Sequence, residues 1–235
     1  MITKRNSEDR GPTDLGWLKS MHSFSFGHYR DPKHMGFGAL RVINEDRVTP
    51  GSGFATHPHD NMEIISYVLS GELAHKDSMG NGAVIRPGEI QIMSAGTGVT
   101  HSEFNASNDN EVHFLQIWII PGQRGTQPGY QQRPIDPETI KNRFAPVIGP
   151  EESESGAALT IKQDAIVYLG RFDAGKEAAF KADLDRKYWL QIVRGDAEIS
   201  GFSARQGDGF AISKEDVINL KTLTEAEFLL FDLAA

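Results

Sequence analysis

The chain contains no cysteine. That excludes disulfide staples, thiolate metal ligands and cysteine nucleophiles. It fits a reducing compartment, and the cytoplasm is the expected location. The amino terminus, MITKRNSEDRG, has charge but none of the apolar stretch that a secretion signal needs. No apolar run approaches the roughly 20 residues that span a bilayer, so no membrane partner is expected. Positive charge is in short supply. Against 32 Asp and Glu stand 24 Lys and Arg, a net charge of −8. Broad binding to a phosphate backbone needs clustered Lys and Arg, so no nucleic-acid partner is expected either. Histidine is missing from the second half, because all 8 lie at or before His113.

What remains is strand-forming sequence punctuated by glycine. The stretch MEIISYVLSGELAHKDSMGNG places Ile64, Ile65, Tyr67, Val68 and Leu69 in one run, with turns at Ser70-Gly71 and Gly80-Asn81-Gly82. AVIRPGEIQIMSAGTGVTHSEF and the apolar EVHFLQIWII follow in the same style. Asp136-Pro137-Glu138 reads as a helix start, with Asp as cap and Pro at the first helical position. The helix is short, because Pro146 follows, and Glu151 to Gly156 reads as exposed loop. The second half then repeats the first in outline, at a spacing of about 130 residues. Tyr188 to Gly201 lines up with Glu63 to Gly71 and beyond, each an apolar strand closed by a Gly turn, and Tyr188, Trp189, Leu190 and Gln191 are expected where a ligand strand would be. The fold class expected is all-β, with two tandem barrels over 1–135 and 136–235.

Chemistry concentrates in two short stretches. GSGFATHPHDNME (51–63) carries His57 and His59 one residue apart, and Glu63 four later. GTGVTHSEFN (96–105) carries His101 and Glu103 with the same gap. In a strand, residues i and i+2 share a face. Two such strands side by side would supply three imidazoles and a carboxylate, a donor set without sulfur. Three histidines and one carboxylate leave positions of an octahedron open, as catalytic metal sites do.

Those residues resemble a known family. Gly51, His57-Pro58-His59 and Glu63 resemble the first cupin motif. Gly98, His101 and Asn105 resemble the second, although Gly96 stands where cupins usually have Pro. Two cupin domains with ligands only in the first resemble the pirin family. HSFSFGHYRDP, MGFGALRVIN, HPHDNMEI, HKDSMGN and MSAGTGVTHSEFN extend that likeness along the chain. The likeness is strongest to bacterial pirin-like proteins with quercetin 2,3-dioxygenase activity.

The resemblance implies one divalent metal held by His57, His59, His101 and Glu103. Fe(II) is the expected ion, with Mn, Ni, Cu or Zn as alternatives. In many other cupins a carboxylate at the place of Glu63 is the ligand instead, so both carboxylates stay in view. The implied reaction is cleavage of a flavonol-like substrate by O2 with release of carbon monoxide, Glu103 taking the substrate proton. The alternative is a metal-bearing regulator that binds a protein partner. A monomer is expected. Phe24, Phe26, Phe37, Met93 and Trp118 are candidate walls for a flat aromatic ligand. His75 and His113 read as hydrogen-bonded strand residues, with a place in the pocket lining as the alternative, and His22, His28 and His34 as loop or packing residues.

Overall fold

A computed structural model describes residues 1–151 and 153–235. Glu152, part of the run read as exposed loop, lies outside the described residues. Contacts divide the chain into two units. One comprises Gly11–Ile135 with Ile161–Gln163, the other Met1–Arg10, Asp136–Thr160 and Asp164–Ala235. Among the described residues no helix is long and apolar enough to cross a membrane.

Each unit is a barrel made of a seven-stranded and a four-stranded sheet. In the first unit the larger sheet runs Gly129–Pro134, Glu89–Ser94, Glu63–Ser70, Val112–Ile119, Leu40–Val48, Leu18–His22 and Gly11–Asp14 in spatial order. The smaller runs Gly53–His59, Val99–Asn105, Leu73–Asp77 and Gly82–Ile85. All named pairings are antiparallel. The β-branched run in Glu63–Ser70 is buried at every position except the last, which is why it shows no polar alternation. The two sheets close over a core in which Val68, Phe114 and Val112 of the larger meet Leu73 and Ile85 of the smaller. Each such side chain stabilises the barrel by about 1.5–3 kcal/mol relative to exposure.

The second unit repeats this order. Gly209–Ser213, Lys187–Arg194, Ala226–Leu233 and Ala165–Phe172 stand where the first has Glu89–Ser94, Glu63–Ser70, Val112–Ile119 and Leu40–Val48. Glu177–Lys181, Val217–Thr222, Asp196–Ile199 and Phe202–Arg205 form its smaller sheet. The all-β reading with two cupin barrels therefore holds. The repeat is shorter than about 130 residues, since Leu40 corresponds to Ala165 and Val112 to Ala226. The first residues of the chain do not follow sequence order: Ile2–Arg5 pairs with Gly209–Ser213 at the edge of the later sheet. Pro137–Ile140 is the expected short helix, and the Asp136 carboxylate accepts from Glu138 N at 3.0 Å.

Tyr188 to Gln191 are not at the place of a ligand strand. They lie in the larger sheet, as the counterpart of Glu63–Ser70. The counterparts of the two histidine strands are Glu177–Lys181 and Val217–Thr222. There Ala178 pairs with Leu220 and Phe180 with Ile218, where the first barrel pairs His57 with His101 and His59 with Val99. Ile218 and Leu220 belong to a hydrocarbon core, with Ala178 and Phe180 packed on it.

One glycine sets the approach of the two histidine strands. A Cβ on Gly53 would lie 2.3 Å from Glu103 O and 2.5 Å from Phe104 Cα. Both are backbone atoms, so the strand would have to move. Gly53→Ala is expected to destabilise the metal-free protein by about 1–3 kcal/mol, the usual cost of overpacking, read by urea denaturation.

Candidate metal centre

The site sits on the two adjacent strands Gly53–His59 and Val99–Asn105. Register places His101 opposite His57 and Val99 opposite His59, then shifts between His101 and Glu103, so that Glu103 faces Phe54. This is a bulge at Ala55 and Thr56, and it re-aims the chain as bulges do. The Ala55 carbonyl then accepts from His57 Nδ1 at 2.8 Å. The proton is thereby fixed on Nδ1, and His57 Nε2 carries the lone pair. Gly96 precedes the second strand with φ +49°, and a Cβ there would lie 2.1 Å from Thr126 O. The departure from the usual Pro therefore serves a left-handed turn under a crossing backbone.

Three imidazoles converge. Ring centroids are 4.8 Å apart for His57 and His59, 4.5 Å for His57 and His101, and 4.9 Å for His59 and His101. His57 Nε2 and His101 Nε2 are 3.0 Å apart. His59 Nε2 is buried with no hydrogen-bond partner, and so is His101 Nδ1. Burial, then the charge of neighbouring histidines, pulls His59 down to about 4 and His101 to about 3. Both are thus neutral at physiological pH, the state that can ligate a metal. Converging lone pairs and a buried orphan nitrogen fit a divalent cation.

Glu103 is buried beside His101 on the same strand face. Its oxygens accept from Ser66 Oγ at 3.1 Å and Gln116 Nε2 at 2.7 Å. Donor atoms of Glu103, His101 and His75 lie within 4.8 Å of one another, as do those of His57, His59 and His101. The site is therefore two clusters that share His101. Burial, offset in part by the Ser66 hydroxyl, raises the Glu103 carboxyl to about 7, with nearby Asp46 adding to the rise.

Glu63 goes elsewhere. Its carboxylate accepts from Ser94 Oγ at 2.8 Å and from Lys162 N at 3.3 Å. It lies an odd number of residues from Ser66, so it faces away from the side chain that reaches Glu103. Trp118 packs edge-to-face with His59 at 4.9 Å and with Phe26 at 5.3 Å, and its indole N–H is buried without a partner. Met93 is in the apolar cluster against which Trp118 and Tyr130 pack. Phe24 is a core residue, and Phe37 forms a bridge with Leu40. An open groove lined by Pro58, Asp60, Thr97, Gly98 and Thr100 leads past His59. A larger groove, on the second barrel, is lined by Glu177, Glu198 and Lys221 and contains none of the candidate residues.

The remaining histidines divide. His22 is buried and bonded to Asn44 Oδ1 at 2.7 Å, His28 is exposed, and His34 lies 3.9 Å from Asp31. His113 pairs with Glu45 at 2.9 Å. His75 is buried against the site: its ring is 5.3 Å from His101 and 4.9 Å from Tyr130. The expected hydrogen-bonded strand residue is there, with Asp77 Oδ2 at 3.1 Å, and the ring also takes the alternative place, beside the candidate ligands. The signal was present in the His75-x-Asp77 spacing, which puts an imidazole and a carboxylate on one strand face.

Two cupin barrels with a histidine cluster in the first define a bicupin. Comparison with known proteins narrows the class. The Pirin family model matches residues 4–119, and a model described as quercetinase C-terminal cupin domain matches 147–233. The chain belongs to the pirin family. It is 43% identical over 233 residues to a quercetin 2,3-dioxygenase of Escherichia coli K12, covering 99% of each chain. It is 37% identical over 234 residues to a pirin-like protein of Caulobacter vibrioides, covering 100% of each. The crystal structure of the bacterial pirin YhhW of Escherichia coli in complex with nickel(II) is similar at TM-score 0.93 and 42% identity, covering 100% of this chain and 99% of that one.

Asp46, on the strand Leu40–Val48, lies close enough to Glu103 to act on its charge. Burial lifts Asp46 from 3.8 to about 7, and Ser20 offsets part of that rise. The folded chain thus keeps a proton that the unfolded chain releases. This contribution to stability is full below pH about 3.8 and is lost as pH rises through about 7. The melting temperature of the metal-free protein is expected to fall across that window. Asp46→Asn should flatten the fall in part, with Glu103 supplying the rest in the same sense.

Proposed function

We propose that the protein is a metal-dependent dioxygenase that cleaves flavonols such as quercetin with O2 and releases carbon monoxide. The observation that carries this reading is the converging His57–His59–His101 cluster with buried Glu103 beside it. The Escherichia coli relative named quercetin 2,3-dioxygenase supports the choice of substrate class. His57, His59, His101 and Glu103 are the residues that would hold one divalent ion, Fe(II) by preference; the nickel(II) complex of the relative supports a divalent ion at large. When bound, the ion supplies Lewis acidity toward a phenolic oxygen and a place for O2 beside it.

The chain's own residues do the rest. The Ala55 carbonyl orients His57, and burial keeps His59 and His101 unprotonated. Trp118 and Phe26, both half-buried and packed edge-to-face, offer apolar surface to a flat ring system. Glu103, buried beside the imidazoles, is the carboxylate that would take the substrate's hydroxyl proton. Ser66 and Gln116 hold that carboxylate in place while it does so.

Metal-loaded protein incubated with quercetin in air should lose the flavonol absorption band and evolve carbon monoxide. Absence of both, with full metal occupancy, would favour the pirin-type regulatory role over catalysis. His57→Ala and His101→Ala should lose bound metal by elemental analysis, and full occupancy in both would place the ion elsewhere. Glu103→Gln should keep a good part of its metal and lose about 10²- to 10⁴-fold in turnover per bound ion. Glu63→Gln should be milder, and the reverse order of the two would make Glu63 the working carboxylate.

A further inference from the structure

We propose that His75 is a metal-facing residue, forming with His101 and Glu103 an inner seat for the same divalent ion. The inference rests on the metal-centre reading above and extends it by one imidazole. His75 lies on Leu73–Asp77, directly opposite Glu103 in the register of the smaller sheet, while Asp77 lies opposite His101. Its side chain therefore points to the barrel interior, on the face that carries the other ligands.

Three observations converge on the role. First, His75 Nε2 lies 3.1 Å from Asp77 Oδ2. A carboxylate only accepts, so that nitrogen carries the proton and Nδ1 carries the lone pair. Second, Nδ1 is buried with no partner, in a side chain that is 1% exposed. Native folds rarely leave a buried acceptor unpaired without a reason. Third, donor atoms of His75, His101 and Glu103 lie within 4.8 Å of one another. Two donors on one ion, each at about 2.1 Å, are at most about 4 Å apart. The cluster need close by less than about 1 Å to grip an ion.

The support behind His75 is built like that of a metal ligand. Ligating histidines commonly donate their other N–H to a carboxylate that is itself held by hydrogen bonds. Asp77 accepts from Met79 N and Asn81 N, both at 3.0 Å, and from Asn81 Nδ2 at 2.9 Å. The turn after the strand thus fixes the carboxylate, and the carboxylate fixes the ring. In the second barrel the residue opposite Thr222, the counterpart of Glu103, is Ala197. An imidazole at this place is not a requirement of the fold.

The test uses the full-length protein. With isotope-labelled histidine and spin-active cadmium as the probe, scalar coupling across a metal–nitrogen bond appears only on ligating nitrogens. Coupling is expected at His75 Nδ1 as well as at the other ligands; a loaded sample with coupling at His57, His59 and His101 but not at His75 overturns the proposal. Separately, metal-free His75→Leu is titrated with Co(II) against a competing chelator. Affinity should fall by at least about 10- to 100-fold, with shifted ligand-field bands, and Asp77→Asn should fall less in the same direction. Unchanged affinity and bands in a His75→Leu protein that melts normally would also overturn it. If His57→Ala keeps its metal, the parent reading fails; if His57→Ala loses metal while His75 shows no coupling, only this inference fails.

Discussion

The pairing of Gly53–His59 with Val99–Asn105 is the constraint on which the site depends. Neither strand holds a complete donor set. Their antiparallel register puts His57 against His101, and the bulge after it lets one backbone carbonyl hold the His57 ring. Sliding this register by one residue would turn the imidazoles of one strand to the other face. Gly53 permits the close approach, and the turn at Gly96 feeds the second strand under Thr126. The barrel behind is rigid because both faces of Glu63–Ser70 and Val112–Ile119 are packed. Precision at the metal therefore comes from a backbone arrangement that apolar burial holds in place.

Much of this was legible in the sequence for identifiable reasons. A one-residue gap in His57-x-His59 and His101-x-Glu103 fixes a shared face once the segments are strands, and β-branched residues with glycine turns make them strands. The loss of histidine after His113 pointed to a single metal-bearing barrel. Choosing between Glu63 and Glu103 was harder, because face parity carries only along an unbroken strand. The turn at Asp60 to Met62 separates His59 from Glu63 and resets it, and Asn61 there has φ +46°. The mislocated counterpart of the ligand strand, at Tyr188 to Gln191, has a similar origin. Apolar strands of one length look alike, and only the hydrogen-bond register shows which sheet each joins. The pairing of Ile2–Arg5 with Gly209–Ser213 joins opposite ends of the chain, for which no local pattern exists.

The second barrel shows what the first would be without a site. At the register positions of His57, His59, His101 and Glu103 it has Ala178, Phe180, Leu220 and Thr222. Three of these are hydrocarbon, and they join a core that runs through to Phe210 and Phe228. The same strand order thus folds well around an apolar interior. Histidines and a buried carboxylate in the first barrel are additions to a framework that does not need them.

Those additions carry a cost that locates their purpose. Below the histidines, Asp46 and Glu103 are buried close together, and both are held near a pKa of about 7 by burial. Gln91 has both amide atoms buried without partners, and it pairs across the sheet with Ser66, whose hydroxyl reaches Glu103. An unsatisfied buried polar group costs about 1–3 kcal/mol, so several together weigh heavily against a domain's total stability of about 5–15 kcal/mol. A fold tolerates this where a bound cation or a reacting molecule supplies the missing partners. The unpaired atoms of His59, His75, His101 and Trp118 belong to residues linked ring to ring on one side of this barrel. Their clustering favours one polar ligand system over scattered packing faults.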